Sequence, residues 1–395
     1  MRPLEGRRIW FVGIGGAGLS GYAALARAWG AEVGGWDRVE TPYLGRLEDV
    51  RVELSAAPTV PEGWEEVVVS TAYRGRVQGK TRAEFLAELV SLQRSIVVAG
   101  AHGKTTTAAM IAFCLDRLGL EPSFLLGGDV PQLGGNARAG RGWLVVEGDE
   151  SDRTIAALRP EIGVVTNVDL DHHSEFGSRA EVERLFAQWL ASVPNVVRGD
   201  ELEPVAFELA VPGEHNRRNA ATALAGLAAA GVKRADAERV LVEFTGVERR
   251  FHERGRVSGI VVVDDYAHHP AEIEGALAAA REAFPHARLL VVFQPHLYSR
   301  TRHLAQAFAE ALAGADVVSV TDVYPAREQA VDGVTGKLIV DRLAEIRPGM
   351  PLGWTPGLED AARFVCARAR AGDTVLTVGA GDVDRVAALV LDHMG

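Results

Sequence analysis

A chain of 395 residues is longer than one typical domain and predicts two or three. Its 47% hydrophobic and 24% charged residues are typical of a globular enzyme, and a formal net charge of −11 argues against a basic nucleic-acid-binding surface. The sequence shows neither a signal-peptide pattern nor an apolar stretch of membrane-spanning length, and its two cysteines fit a reduced compartment. We therefore expect a cytoplasmic enzyme with no nucleic-acid or membrane partner.

The first glycine-rich motif follows a predicted strand over 8–12 and opens a predicted helix. It fits the pattern G-x-G-x-x-G, and Asp37 follows the next predicted strand, as in dinucleotide-binding folds. The turn and the helix N-terminus recognise a diphosphate, so a UDP-sugar fits this motif as well as NAD does. The candidate residues are Gly13, Gly15, Gly16, Ala17, Gly18 and Asp37.

A second glycine-rich motif joins a predicted strand over 95–99 to another helix. The strict spacing G-x-x-x-x-G-K-[ST] fails, because Val98 stands at the first position, but a shorter loop ending in Lys104 and Thr105 remains. Backbone amides, the lysine charge and the threonine hydroxyl suit a polyphosphate with Mg²⁺. The candidate ATP-binding residues are Gly100, His102, Gly103, Lys104, Thr105 and Thr106.

Two polar segments follow later strands of the same block. Four carboxylates occur within residues 147–152, and such a density is costly without a cation, so Glu147 is a candidate Mg²⁺ ligand beside Thr105. A solvated acidic turn is the alternative. Residues 167–173 end in two histidines, and His172 could help to hold a second divalent ion or could belong to a surface pair.

The segment 212–219 precedes a helix of small residues predicted over 219–230. Asn216 and Asn219 could cap that helix or could hydrogen-bond a purine edge, and the sequence leaves both open.

A third block begins near Thr245, with strands predicted over 260–264, 288–293, 316–321 and 373–378. Polar residues follow each strand, and ligands bind at this edge of open α/β sheets. An acid, a phenol and two imidazoles within 265–269 indicate a site.

The order of these motifs resembles that of the Mur ligases, the ATP-dependent ligases that build the peptidoglycan peptide. The resemblance covers nearly the whole chain and implies an α/β fold of three domains: an N-terminal Rossmann-like domain, a central P-loop ATPase-type parallel sheet, and a C-terminal Rossmann-like domain. The implied domains are a UDP-substrate-binding domain over 1–92, an ATP-binding domain over 93–245, and an amino-acid domain that closes on ATP over 246–395. The motifs that carry it are Phe11 to Gly18, Gly100 to Thr107, Asn136 to Arg138, Glu147 to Asp152, Gly213 to Asn216, Asp264 to Pro270, Phe293 to Thr301, Asp322 to Ala326 and Gly379 to Asp382.

The same resemblance implies an activity, the joining of L-alanine to UDP-N-acetylmuramate through an acyl phosphate, with ATP and Mg²⁺ as cofactors. It also assigns residues. The implied catalytic residues are Lys104, His172, Asp265 and His268; the metal ligands are Thr105, Glu147 and His172; further ATP contacts are His215, Asn216 and Asn219; Ser70 joins the UDP-substrate site; the amino-acid site contains Tyr266, His269, His296 and Arg300.

We expect small-molecule partners and a monomer or weak dimer. Two alternatives remain from the sequence: a Mur-type ligase with a different amino acid or a peptide as acceptor, and an NAD-dependent oxidoreductase based on the first glycine motif. The segment from Ser174 to Pro212 is shorter than expected for the central domain of the family.

Overall fold

A computed structural model describes residues 3–47, 49–150, 153–169, 176–326 and 328–395. The chain divides into two compact units, one formed by Met1–Val205 with Arg218–Phe244 and the other by Ala206–Arg217 with Thr245–Gly395. Three β-sheets with flanking helices confirm the α/β class. The exact domain boundaries given above stay a prediction.

The first sheet is parallel and has the strand order β3-β2-β1-β4-β5. Alternate residues of β1 point to opposite faces: Ile9 and Phe11 pack in the cluster that contains the helices, whereas Trp10 packs with Trp36. The elements are β1 (Arg8–Val12), α1 (Ala17–Ala28), β2 (Glu32–Asp37), β3 (Arg51–Leu54), β4 (Glu66–Val69), β5 (Lys80–Thr81) and α2 (Arg82–Leu92). The strand order reverses at β1, so the first glycine motif follows the strand at the switch point, where such sheets bind ligands.

The central sheet has the order β11-β10-β6-β9-β7-β8 and is parallel except for the β7–β8 pair. Its elements are β6 (Ser95–Ala99), α3 (Lys104–Arg117), β7 (Ser123–Val130), β8 (Gly135–Arg138), β9 (Leu144–Glu147), β10 (Ile162–Val165), α4 (Arg179–Leu190), β11 (Asn195–Arg198), α5 (Glu214–Ala229) and α6 (Arg234–Leu241). All five residues of β6 are buried, as expected for an interior parallel strand. The phosphate-type loop after β6 therefore lies between the carboxyl ends of β9 and β10.

The third sheet has the order β12-β13-β17-β14-β15-β16, and its β12–β13 pair is antiparallel. Its elements are β12 (His252–Val257), β13 (Ile260–Asp265), α7 (Pro270–Ala283), β14 (Leu289–Phe293), α8 (Tyr298–Leu312), β15 (Val317–Val320), α9 (Lys337–Ile346), β16 (Leu352–Trp354), α10 (Leu358–Cys366), β17 (Thr374–Val378) and α11 (Asp384–Met394). Strands β13, β17 and β14 are neighbours, so the polar segments that follow them meet at one edge.

The start of α5 corrects the sequence-based prediction. The helix begins at Glu214 rather than at residue 219, because the Gly213 carbonyl accepts the N–H groups of Asn216 and Arg217 at 3.0 and 3.2 Å. Gly213 has φ +101°, a conformation that favours glycine. Asn216 and Asn219 therefore lie inside the helix, so of the two alternatives left open by the sequence, the one in which they cap it is wrong.

The two cysteines are both free, as expected, but they differ in exposure. Cys114 is buried, and burial raises the pKa of its thiol to about 12, whereas Cys366 is half-buried. Both lie in helices, where apolar sequence around them predicts burial, and only Cys114 is fully buried.

A capping box starts α2 and generates a stability prediction. The Thr81 hydroxyl accepts the Glu84 N–H at 3.2 Å, and the Glu84 carboxylate accepts the Thr81 N–H at 2.7 Å. We expect Thr81→Ala to lower the free energy of unfolding in urea by about 1 kcal/mol. Ser178→Ala is the control, because Ser178 starts α4 and among the described residues makes no side-chain capping bond. An equal loss in both variants would contradict the prediction.

Candidate functional site

The loop between β6 and α3 has the shape of a phosphate-binding turn. Gly100 and Gly103 have φ values of +136° and +78°, and a Cβ atom at Gly103 would lie 2.3 Å from the Asn219 side-chain oxygen. Only glycine fits there without movement of Asn219. The predicted loop residues and Asn219 are therefore brought together.

Residues that follow β10 hold the loop in place. The Asn167 side chain accepts the His102 N–H at 3.0 Å and donates to the His102 carbonyl at 2.9 Å. The Thr166 hydroxyl donates to the same carbonyl at 2.6 Å. These bonds use the backbone of His102, and this role of Thr166 and Asn167 was not predicted from the sequence. The signal that could have indicated this role is their position directly after β10, the strand that pairs with β6.

Lys104 is the first residue of α3, and its ammonium group points back into the loop. Its Nζ donates to the Gly100 and Ala101 carbonyls at 2.5 and 3.3 Å, and lies 3.1 Å from both carboxylate oxygens of Glu150. Burial opposes the charge of Lys104, but the carboxylates of Glu150 and Asp149 raise its pKa above the ordinary value. The lysine is therefore positively charged at the position where a polyphosphate would lie.

Glu150 is the main site residue that was not predicted from the sequence. Its side chain is 2% exposed, and burial raises its pKa to about 7, although the nearby Lys104 charge opposes that shift. The density of carboxylates over 147–152 pointed to the segment, but the sequence did not show which one faces Lys104.

Glu147 ends β9 beside the start of α3. One carboxylate oxygen accepts the Thr105 hydroxyl at 2.8 Å, and the other accepts the Gly127 N–H. A hydroxyl and a carboxylate are oxygen donors of the kind that Mg²⁺ prefers. Within the described ranges, no group of three or more His, Cys, Asp or Glu side chains could hold a metal ion. His172, the third predicted ligand, lies outside the described residues.

The first glycine loop is bound to the end of β2. The Gly15 N–H donates to Asp37 at 2.7 Å, and the Thr41 hydroxyl donates to the Gly15 carbonyl at 2.7 Å. Gly13 has φ +89°, and a Cβ atom there would lie 2.6 Å from the Ser70 hydroxyl oxygen. Gly16 caps α1, with Ala17 and Gly18 in its first turn. The predicted UDP-site residues thus form one cluster at the carboxyl ends of β1, β2 and β4.

At the end of β13, Asp265 is held by two backbone amides. Its carboxylate accepts the N–H groups of Phe251 and Ala267, each at 2.7 Å. Burial raises its pKa to about 6, although the positive charge of Arg250 and the two amide bonds oppose the shift. Asp265 therefore fixes the start of the 265–269 segment.

A row of aromatic rings crosses the carboxyl edge of the third sheet. The ring centroids of His268 and His296 are 6.0 Å apart, and His296 stacks on Tyr324 at 5.7 Å. His268 Nδ1 is 3.0 Å from the Tyr266 carbonyl and 3.2 Å from Glu272. Tyr324 was not among the predicted site residues, although its position after β15 was a signal.

The remaining residues predicted for this edge lie around that row. The Tyr266 ring is flanked by the guanidinium groups of Arg249 and Arg250 at 5.0 and 4.9 Å from its centroid. His269 is the residue at which α7 is capped, and Arg300 lies in the first turn of α8 with 5% exposure.

The three predicted ATP contacts on α5 belong to different units. Asn219 is in the first unit, against Gly103. Asn216 and His215 are in the second; Asn216 donates to the Pro212 carbonyl at 2.6 Å, and His215 packs against Gly275 of α7. Burial lowers the pKa of His215 and favours its neutral form.

Comparison with known families identifies the chain. The Mur ligase middle domain matches residues 98–198, and the domain described as "Mur ligase, glutamate ligase domain" matches residues 249–381. The UDP-N-acetylmuramate–L-alanine ligase of Renibacterium salmoninarum is 39% identical over 98% of this chain and 96% of its own length. The enzyme of the same name from Rubrobacter xylanophilus is 37% identical over 98% of this chain and 100% of its own.

The chain belongs to the Mur ligase family. Its fold is similar to that of the UDP-N-acetylmuramate–alanine ligase from Thermotoga maritima, with a TM-score of 0.81, 28% identity and 98% coverage of both chains. A murein peptide ligase from Psychrobacter arcticus shares the fold at 22% identity and a TM-score of 0.66, over 99% of both chains. This membership confirms the resemblance and the three-domain fold class, and it contradicts the alternative of an NAD-dependent oxidoreductase.

The length of this Mur ligase differs from that of its relatives. The alignment with the Renibacterium enzyme spans 451 positions, whereas this chain has 395 residues, so the relative carries additional residues within the aligned region. Among the described residues of this ligase, no helix has the length and apolar character needed to cross a bilayer.

The burial of Glu150 generates a pH prediction for this ligase. Its pKa is about 7 in the folded chain and ordinarily 4.5, so the folded state binds more protons than the unfolded state between these values. The contribution of Glu150 to stability is therefore present below pH 4.5 and is lost as pH rises through 7. We expect the wild-type free energy of unfolding, relative to that of Glu150→Gln, to fall by roughly 1 to 3 kcal/mol between pH 5 and pH 8.

The matched control is Glu161→Gln. An Arg94 hydrogen bond lowers the pKa of Glu161, so its contribution is present above its ordinary pKa and is lost only as pH falls further. Its difference from wild type should stay constant between pH 5 and pH 8 in urea titrations. A constant difference for Glu150→Gln as well would show that Glu150 does not titrate in this range.

Proposed function

We propose that this Mur ligase joins L-alanine to UDP-N-acetylmuramate at the expense of ATP, in the synthesis of the peptidoglycan precursor. The observation that carries the proposal is the presence, in one compact unit, of two different glycine-rich loops, each opening a helix at the switch point of its own sheet. One loop holds a charged lysine suited to a triphosphate, and the other fits the diphosphate of a UDP-sugar. The relatives described above bear the name of this activity.

The first step activates the carboxylate of UDP-N-acetylmuramate, which is a poor acyl donor by itself. A carboxylate oxygen of UDP-N-acetylmuramate attacks the γ-phosphorus of ATP, the bond to the β,γ-bridging oxygen breaks, and ADP leaves. Lys104 would then exchange its contacts with Glu150 and the loop carbonyls for phosphate oxygens, and its charge would stabilise the transferring group. Gly100, His102, Gly103, Thr105 and Thr106 supply the loop and the first turn of α3 around it.

In the second step the amine of L-alanine attacks the acyl carbon, phosphate leaves, and the nitrogen loses a proton as the amide forms. Residues at the carboxyl edge of the third sheet are proposed to receive the amino acid: Tyr266, His269, His296 and Arg300. His268 is the proposed proton acceptor: its Nδ1 faces the Tyr266 carbonyl and Glu272, which both accept hydrogen bonds, so Nδ1 carries the proton and Nε2 is the basic nitrogen. Asp265 positions this segment through its two backbone bonds.

Magnesium fits the oxygen donors beside the loop. Thr105 and Glu147 would hold Mg²⁺, which supplies positive charge that balances the phosphate oxygens when it is bound. The assignment of His172 as a ligand of a second divalent ion stays a prediction. His215, Asn216 and Asn219 are proposed to contact the nucleotide, with Asn219 already beside Gly103.

The substrates are small molecules, and we propose that the protein works in the cytoplasm as a monomer or weak dimer. In the first sheet the diphosphate would bind at the N-terminus of α1, where Gly16 is the N-cap and Ala17 and Gly18 form the start of the first turn. Gly13, Gly15, Asp37 and Ser70 shape the same turn.

The decisive experiment is phosphate release from ATP in the presence of UDP-N-acetylmuramate and each amino acid in turn. L-alanine should give the highest kcat/KM, with the amide product confirmed by mass spectrometry. Preference for another amino acid or for a peptide would favour the alternative of a Mur-type ligase with a different acceptor. Absence of phosphate release with every acceptor would overturn the proposal.

Lys104 provides a direct test of the proposed phosphate loop. Lys104→Ala should lower kcat by on the order of a thousandfold or more, because it removes the charge that stabilises phosphoryl transfer. Lys337→Ala is the control: Lys337 pairs with Asp341 on the exposed face of α9, so this variant should retain wild-type turnover. Turnover of Lys104→Ala within tenfold of wild type would refute the role.

A further inference from the structure

Arg82, the first residue of α2, lies between the first glycine loop and the acidic segment that follows β9. A Cβ atom at Gly18 would lie 3.2 Å from Arg82 Nη1, so the guanidinium contacts the first turn of α1 where glycine leaves room. On its other side, Arg82 Nη2 is 3.7 Å from an Asp149 carboxylate oxygen. The same guanidinium thus faces both the proposed diphosphate loop and the acidic segment.

The acidic segment connects Arg82 to the site of phosphoryl transfer. Asp149 is followed directly by Glu150, whose carboxylate lies 3.1 Å from Lys104 Nζ. A substrate held by its diphosphate at α1 must extend past this point if its carboxylate is to reach a nucleotide at Lys104. Arg82 is therefore a cation placed along that path.

We propose that Arg82 binds the carboxylate of the UDP-sugar substrate and directs it toward the γ-phosphate of ATP. The inference rests on the proposed function and adds the residue that recognises the carboxylate of the UDP-sugar. In the free protein Asp149 occupies the guanidinium, and the substrate carboxylate takes its place.

The geometry of the ion pair supports such an exchange. At 3.7 Å, with side chains 30% and 38% exposed, the Arg82–Asp149 contact is a solvent-accessible ion pair rather than a short hydrogen bond, and such pairs contribute little to stability. The planar guanidinium matches a carboxylate with two parallel N–H donors, which a lysine ammonium cannot reproduce. Replacement of the Asp149 carboxylate by the substrate carboxylate therefore costs little free energy and allows two parallel hydrogen bonds.

The test compares two ligands that differ in the carboxylate. UDP-N-acetylmuramate carries a lactyl carboxylate, and UDP-N-acetylglucosamine has the same nucleotide and sugar without it. Calorimetric titration of the full chain without ATP should show that Arg82→Met weakens binding of the first ligand by roughly ten- to a hundredfold and changes binding of the second by less than about threefold. Arg82→Lys should recover part of the lost affinity, because it restores the charge but not the two parallel N–H donors of the guanidinium.

Two further variants separate recognition from a structural effect. Asp149→Asn removes the competing carboxylate, so it should bind UDP-N-acetylmuramate as tightly as wild type or more tightly; a structural ion pair would make it resemble Arg82→Met. Arg76→Met, which removes an exposed arginine of the same sheet domain, should leave both affinities unchanged. Thermal unfolding of each variant checks that it is folded.

The outcomes are distinct. An equal loss of both ligands in Arg82→Met would place Arg82 at the diphosphate and overturn the inference, as would equal binding of the two ligands by the wild-type protein. If wild type binds neither UDP-sugar, the proposed function itself fails, and the inference fails with it.

Discussion

The positive charge of Lys104 is the interaction on which the arrangement of the central site depends. An ammonium group in a buried loop must be compensated, and the loop carbonyls and Glu150 supply that compensation in the free protein. Glu150 is itself buried, and the lysine charge partly offsets the rise in pKa that this burial causes. A nucleotide phosphate that takes over the lysine would release Glu150, so phosphate binding and the state of this carboxylate are coupled.

The two glycine loops show how similar backbone geometry supports different chemistry. Both follow a strand at a switch point and open a helix, but their surroundings differ. The first loop is bound to Asp37 and Thr41 and contains no cationic side chain within residues 13–18 of the described chain. The second ends in a lysine and a threonine that contact Glu150 and Glu147. These surroundings suit the first loop to the proposed diphosphate and the second to the proposed phosphoryl transfer, in which the lysine would stabilise charge.

Much of the fold could be predicted from the sequence, because buried parallel strands are short apolar runs. The bounds of β1 and β6 agree with the prediction residue for residue. The start of α5 could not be predicted in the same way, since asparagine is common at helix caps and nothing local shows that Gly213 takes that position. Glu150 and Asn167 escaped notice because their importance arises from contacts with residues 46 and 65 positions away in the chain.

The third sheet illustrates what local sequence can and cannot specify about a site. A dense group of acid, phenol and imidazole after β13 indicates function, yet the carboxylate of Asp265 is occupied by backbone amides, so its contribution is to fix the chain that carries His268. The His268–His296–Tyr324 row is formed from three segments and depends on the strand order of the sheet. Residue type therefore points to the edge of the sheet where we propose the amino-acid site, whereas the sheet topology decides which side chains share that edge.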